Sequence, residues 1–300
     1  MTWCTALGAA AADVGETQEC CTVPEGPEIR RAADSIAEVL EGQVVDKVSF
    51  GLPRLRRHAR QLRGQRVVEI ETRGKAMLTH FDHGLSIYSH NQLYGVWRVI
   101  AGHRLPDCNR SVRLLLQTSS HSAVLYSASD ISVWKSADLP EHPFLRKLGP
   151  DIMSPLLDWR AVAARLREPR FQKRELAALY LDQAFLAGNG NYLRSEILHD
   201  AGLDPRCRPA DLSRGELGRL ARSTLALSRR SYATAGITLT PRLARSLERQ
   251  GLPRQRRRFY VFGRTGQPCH HCAAPVLRTE VGARRLYHCP VCQPAIEQRR

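Results

Sequence analysis

Ile29, Ala33, Ile36 and Leu40 recur at helical spacing behind Pro27 and stop at Gly42, so this stretch reads as one amphipathic helix. The hydrophobic period then changes. Short β-rich runs at 44–50, 66–71, 76–81, 85–89, 96–100, 112–117 and 123–127 alternate with turns of Gly, Asp, Asn and Pro. That spacing predicts an antiparallel sandwich. Beyond about Gly149 the strands give way to helical patterns at 159–167, 173–186, 192–201 and 214–227, which predict a second, helical domain. Gly188-Asn189-Gly190 separates two of these helices, and its two glycines permit backbone paths that bulkier residues resist. Residues 1–22 carry no periodic pattern.

Composition narrows the class. Of 300 residues 43% are hydrophobic and 25% charged, which suits a folded globular chain. Lys and Arg number 45 against 29 Asp and Glu, a formal charge of +16 that favours a polyanion, either nucleic acid or an anionic membrane. No apolar run is long enough to span a bilayer, and the Ala-rich start lacks a basic flank and runs into Glu16 and Glu19. A cytoplasmic, nucleoid-associated protein without a membrane partner is expected. Residues 241–264 hold eight arginines against one acid, Glu248, and read as a basic connector: a solvated linker, or a segment whose sign suits DNA.

The nine cysteines do not form a disulfide framework. Cys4, Cys20 and Cys21 precede the first patterned segment, and Cys108 and Cys207 are isolated, as expected of inert thiols. The other four differ. Cys269-x-x-Cys272 and Cys289-x-x-Cys292, with sixteen residues between the pairs, have the spacing that delivers four thiolates to one tetrahedral zinc ion. With all four positions filled by protein, a structural ion is expected. His270, His271 and His288 are read as neighbours of the ligands.

The segment from Val23 through Pro24, Glu25, Gly26, Pro27 and Glu28 to Asp34 resembles the amino terminus of the endonuclease VIII branch of the formamidopyrimidine-DNA glycosylase superfamily. The likeness continues through Thr72-Arg73-Gly74-Lys75, the run from Ser89 to Arg98, Tyr126 to Asp130, Leu181 to Gly188 and the four cysteines. It leaves out residues 1–22 and the basic connector. Behind an extension (1–23), the resemblance implies an α+β multidomain chain with a catalytic antiparallel β-sandwich and its flanking helix (24–149), then a helix-two-turns-helix DNA-binding domain (150–240). A basic connector (241–258), a zinc-finger hairpin (259–294) and a tail (295–300) complete it.

Members of that branch remove oxidised bases, chiefly pyrimidines, from double-stranded DNA and cut the strand at the abasic site by β- and δ-elimination. The implied roles suit the residues. Pro24, as a terminal secondary amine, would attack the sugar C1′ and form an iminium. Glu25 would protonate the sugar ring oxygen. Lys75 matches the lysine that supports β-elimination, and Arg284 the hairpin arginine tied to δ-elimination and phosphate binding, with Arg285 as its decoy. Gln92, Leu93 and Tyr94 match the residues that fill the gap left by the flipped nucleotide, although alternation alone would make Leu93 and Tyr94 core positions. Asn191 matches a phosphate-contacting asparagine, with a helix cap as its plainer reading. A monomer is expected.

Three departures matter. Val23 stands where the family has its initiator methionine, and a proline nitrogen inside a peptide bond is an amide without a usable lone pair. Translation from Val23 through an alternative start codon, followed by methionine removal, is therefore expected to generate the working terminus at Pro24. If residues 1–23 are retained, the chain would instead be a noncatalytic DNA-damage-binding protein. Asn189 fills a turn position that is usually apolar, and Lys147 replaces a DNA-contacting arginine, keeping the charge without the fork. Oxidised purines as substrates are a third reading, disfavoured by Gln92-Leu93-Tyr94.

Overall fold

The computed structural model describes residues 24–295. It opens with α1 (Gly26–Leu40), followed by β1 (Lys47–Phe50), a short α2 (His58–Leu62), β2 (Val67–Arg73), β3 (Ala76–Phe81) and β4 (Leu85–His90). Then come β5 (Val96–Ala101), β6 (Val112–Gln117), β7 (His121–Tyr126) and β8 (Asp130–Lys135). These strands make two four-stranded antiparallel sheets, ordered β1-β6-β7-β5 and β2-β3-β4-β8. The period-two pattern shows in the packing. Met77 and Ile87 face inward with Leu114, Leu116 and Leu125, while Leu78 and Tyr88, one residue on, join Leu139 on the opposite face. Ala33, Ile36 and Leu40 of α1 enter the same inter-sheet core.

Helices follow: α3 (Trp159–Leu166), α4 (Leu176–Leu179), α5 (Asn191–Asp200), α6 (Arg214–Ala233) and α7 (Pro241–Arg249), before the hairpin β9 (Leu277–Val281) and β10 (Arg284–His288). A second core joins α3 to α6 through Leu166, Phe185, Leu193 and Leu220. A third, smaller one gathers Leu247, Tyr260, Val261, Val276 and Tyr287 around Cys269 and Cys289. Helix α1 links the first two. Tyr232 of α6 donates to Asp34 at 2.6 Å, and Arg31 donates back to the Tyr232 carbonyl at 2.9 Å.

Two sequence expectations need correction. Residues 173–186 do not form one helix; only the single turn of α4 is helical there. Asp182 stops it, accepting from the Ala184 N–H at 2.8 Å and pairing with Arg174 at 2.5 Å. The apolar pattern is real, but it describes burial of an irregular segment: Leu179, Tyr180, Phe185 and Leu186 are all fully covered. The basic segment is likewise not a plain linker, for it contains α7. Thr240 caps that helix, Pro241 opens it, and Leu247 fastens it to the third core.

Candidate active site and metal centre

The N-terminus of α1 faces the N-terminus of α5, and Glu25 spans the junction. As N-cap of α1 it is 2% exposed, and its carboxylate accepts from the N–H groups of Tyr192 at 2.8 Å and Leu193 at 3.2 Å. Helix α5 has no cap of its own, because its N-cap residue is Gly190, so Glu25 supplies those orphan donors with their partner. The fit requires a bare backbone at Gly190: a Cβ there would lie 2.3 Å from the Glu25 carboxyl carbon. Gly188, at φ +99°, turns its carbonyl onto the Gly26 N–H at 2.8 Å and closes the loop against α1.

Burial pushes the Glu25 carboxyl up to about 7, helped by the nearby charge of Glu28 and opposed by Lys75 and the two N–H groups. Glu28 is also raised by burial. It accepts from Tyr192 Oη at 2.9 Å and from the Glu25 N–H at 3.1 Å, so the second carboxyl fixes the backbone that carries the first. Lys75 leaves the β2–β3 turn, where Asp151 accepts from the Gly74 N–H at 2.7 Å. Burial lowers its ammonium below the usual lysine range and Arg284 adds to this, while Glu25 and Glu28 oppose it. Glu25, Lys75 and Arg284 thus share one electrostatic cluster beside Pro24.

Arg284 begins β10 after the tight turn at Gly282-Ala283, both residues at positive φ. A residue that sequence reasoning missed holds this strand in place. Arg194 on α5 is fully buried and donates to the carbonyls of Arg285 and Ala177, each at 3.0 Å, and to Asn191 Oδ1 at 2.6 Å. Asn191 is therefore not the cap of α5. Its acceptor is occupied by Arg194, which orients its amide donors. An arginine flanked by Tyr192, Leu193, Ile197 and Leu198 was the available signal.

The Gln92-Leu93-Tyr94 turn joins β4 to β5 and projects into solvent, with Leu93 55% and Tyr94 71% exposed, so neither is a core residue. Gln92, at φ +54°, accepts from Ser129 at 2.8 Å. His90 connects this turn to Lys75: it pairs with Ala76 in the sheet, accepts from the Gln92 N–H at 3.0 Å and senses the Lys75 charge. Lys147 is exposed and has no contact with the cluster among the described residues. Asn189 is completely buried with neither amide atom bonded, a cost that an apolar residue would avoid.

Cys269, Cys272, Cys289 and Cys292 bring their four Sγ atoms within 4.8 Å of one another, with pairs at 3.4 and 3.8 Å. Ligands about 2.3 Å from zinc stand about 3.8 Å apart on a tetrahedron, so the set fits such an ion. The N–H groups of His271 and Cys292 point at Cys269 and Cys289 sulfur. His199, which the sequence pattern did not single out, lies 3.6 Å from Cys269 Sγ and groups with His271 and Cys292. Cys207 is buried and Cys108 half-buried, and neither is part of a disulfide. Cys4, Cys20 and Cys21 lie outside the described residues.

A β-sandwich and a helical body that meet at the buried Glu25, with Lys75 close enough to act on its charge and a cysteine hairpin packed on α5, are the arrangement of a DNA glycosylase of the formamidopyrimidine-DNA glycosylase superfamily. Residues 23–129 match the formamidopyrimidine-DNA glycosylase N-terminal domain. Over 271 residues, 90% of this chain and 100% of the relative, the chain is 46% identical to Endonuclease 8 of Escherichia coli, and 45% identical at the same coverage to that of Shigella sonnei. The chain belongs to the endonuclease 8 family of base-excision repair enzymes, which are DNA glycosylases and abasic-site lyases. In fold it is similar to Lactococcus lactis Fpg in complex with DNA containing an abasic site, with a TM-score of 0.75 and 19% identity over 90% of this chain and 100% of that chain.

Proposed function

We propose that the chain acts as a monomer on duplex DNA, excising oxidised pyrimidines and then cutting the strand by β- and δ-elimination from a free Pro24 amine. The observation that carries this reading is the Glu25 carboxyl beside Pro24, buried, pinned by two N–H groups and pushed up to about 7. Near neutral pH it exists in both protonation states, as proton transfer to a sugar ring oxygen requires.

The Pro24 nitrogen attacks C1′, and the damaged base departs with the glycosidic electron pair and takes up the proton that the amine loses. Glu25 gives its proton to the ring oxygen as the sugar opens, leaving an iminium at C1′. Loss of a C2′ proton then expels the 3′-phosphate, and a second elimination releases the 5′-phosphate. Lys75, its ammonium weakened by burial, suits the proton removal and the adjacent phosphate. Arg284 suits the phosphate released last.

Gln92, Leu93 and Tyr94 are proposed to fill the gap in the duplex, with Asn191 and Lys147 on backbone phosphates. Zinc is the proposed ion for the four cysteines, where it would order the hairpin bearing Arg284 and leave no open position for water.

Borohydride trapping tests the reading. Protein beginning at Pro24 should become covalently attached to a duplex carrying thymine glycol, with the adduct mapped to residue 24. The 300-residue chain, whose Pro24 nitrogen is an amide, should not. Adducts confined to lysine would sink the proline assignment, and specific binding without adducts from either form would favour the noncatalytic lesion-binding protein. Faster release of 8-oxoguanine than of thymine glycol would overturn the pyrimidine preference.

A further inference from the structure

The eight arginines between residues 241 and 264 divide into two groups in the fold. Arg254 donates to the Ala235 carbonyl and Arg258 to the Gly236 carbonyl, beyond the end of α6; Arg257 pairs with Glu248, and Arg264 donates to the carbonyls of Tyr260 and Pro268. These four hold structure together. Arg242, Arg245, Arg249 and Arg256 do not: each is exposed and has no side-chain partner among the described residues.

Three of the free arginines share one helical face, since positions i, i+3 and i+7 of α7 stack along the axis. Leu243, Ala244 and Leu247 occupy the other face and pack on the core around Leu239, Tyr260 and Val261. The mounting is firm. Tyr260 Oη accepts from the Thr240 N–H at 3.2 Å, and the Glu196 carboxylate takes the N–H groups of Tyr260, Val261 and Phe262. Glu248, the sole acid of the segment, is consumed by Arg257, so it does not neutralise the outward row.

We propose that this outward face of α7, Arg242, Arg245 and Arg249 with Arg256 beside it, is a duplex-gripping surface separate from the Glu25 cluster, and that it binds backbone phosphates. Seven residues of helix span about 10 Å, a length over which duplex DNA presents about six phosphate charges. An anionic membrane fits less well, because a helix that lies in a bilayer interface must offer its apolar face, and here that face is already packed into protein. Phosphate contacts of this kind add affinity without base preference.

The test compares the full chain with R242A/R245A/R249A and R242K/R245K/R249K by fluorescence anisotropy on an undamaged duplex of about 30 base pairs, over about 50 to 300 mM KCl. Three lost phosphate contacts should make the slope of log affinity against log salt shallower by about 2.7 in the alanine variant, with the curves converging at high salt. The lysine variant should keep the parent slope, since counterion release counts charges. Thermal midpoints should not move, because the substituted side chains are exposed. An alanine variant with the parent slope, or a lysine variant that loses the slope as well, would overturn the proposal. So would loss of binding to phosphatidylglycerol vesicles with the duplex slope intact, which would give the face to membranes.

Discussion

Two backbone N–H groups favour the charged form of the Glu25 carboxyl and burial opposes it, and burial dominates. The pH dependence follows from that order. Because the folded value, about 7, lies above the ordinary 4.5, the folded protein holds a proton that the unfolded chain has released. Stability from this group is therefore present at low pH and is lost as pH rises from about 4.5 to 7. Glu25→Gln keeps an acceptor for α5 but cannot ionise. Relative to the parent it should gain on the order of 3 kcal/mol at pH 8 and nothing near pH 4, read from thermal melts at the two pH values. Base excision should fall by about 100-fold or more in the variant, and in the parent it should decline above pH 7 as the proposed acid loses its proton. A stability gain that is equal at both pH values would show that the carboxyl does not titrate in this range.

The junction of α1 with α5 depends on what the loop between α4 and α5 omits. Gly190→Ala would place a Cβ 2.3 Å from the Glu25 carboxyl carbon, and that carboxyl, held by two N–H groups, cannot swing away without uncapping α5. Excision should fall by at least about 10-fold, while destabilisation stays within roughly 1–3 kcal/mol. Retention of full activity with a normal melt would show that Glu25 is free to move.

The same elements show what the sequence could convey. The short β-rich runs located most strands because each buries at least one row of side chains between turn residues, and the CxxC pairs carried the metal site in their spacing. The single turn of α4 was hidden because 173–186 is apolar for burial, not for helical repeat. Helix α7 was hidden by its arginines, although Thr240-Pro241 is a start signal. The exposure of Leu93 and Tyr94 was legible only through resemblance, since alternation places them inside. Arg194 could not be assigned, because its partners lie seventeen and ninety-one residues away.

At the scale of the molecule, the three largest apolar clusters among the described residues differ in what holds them. The inter-sheet and helical cores contain no proposed metal ligand, whereas the hairpin core is small and includes Cys269 and Cys289. No helix among the described residues is long and apolar enough to cross a membrane. The hairpin and the residues after it touch α5 through Tyr287 N–H to Ser195 Oγ at 3.3 Å and the Arg285 carbonyl to Arg194, and the turn after α5 through Gln293 to the Leu203 carbonyl at 2.9 Å. The hairpin has little core of its own, so a metal that gathers the four thiolates is proposed to keep these bonds in place. Chelation should therefore loosen the hairpin without melting the two larger cores: the main unfolding transition and most of the far-UV signal should persist. Arg284 would lose its place beside Lys75, so δ-elimination should fall before β-elimination, and gel separation of the two strand products should shift toward the β product by about 10-fold. Re-addition of zinc should restore the ratio. An unchanged product ratio after complete metal removal would mean that Arg284 is positioned by the α5 contacts alone. Loss of the main transition would mean that the metal supports the whole fold.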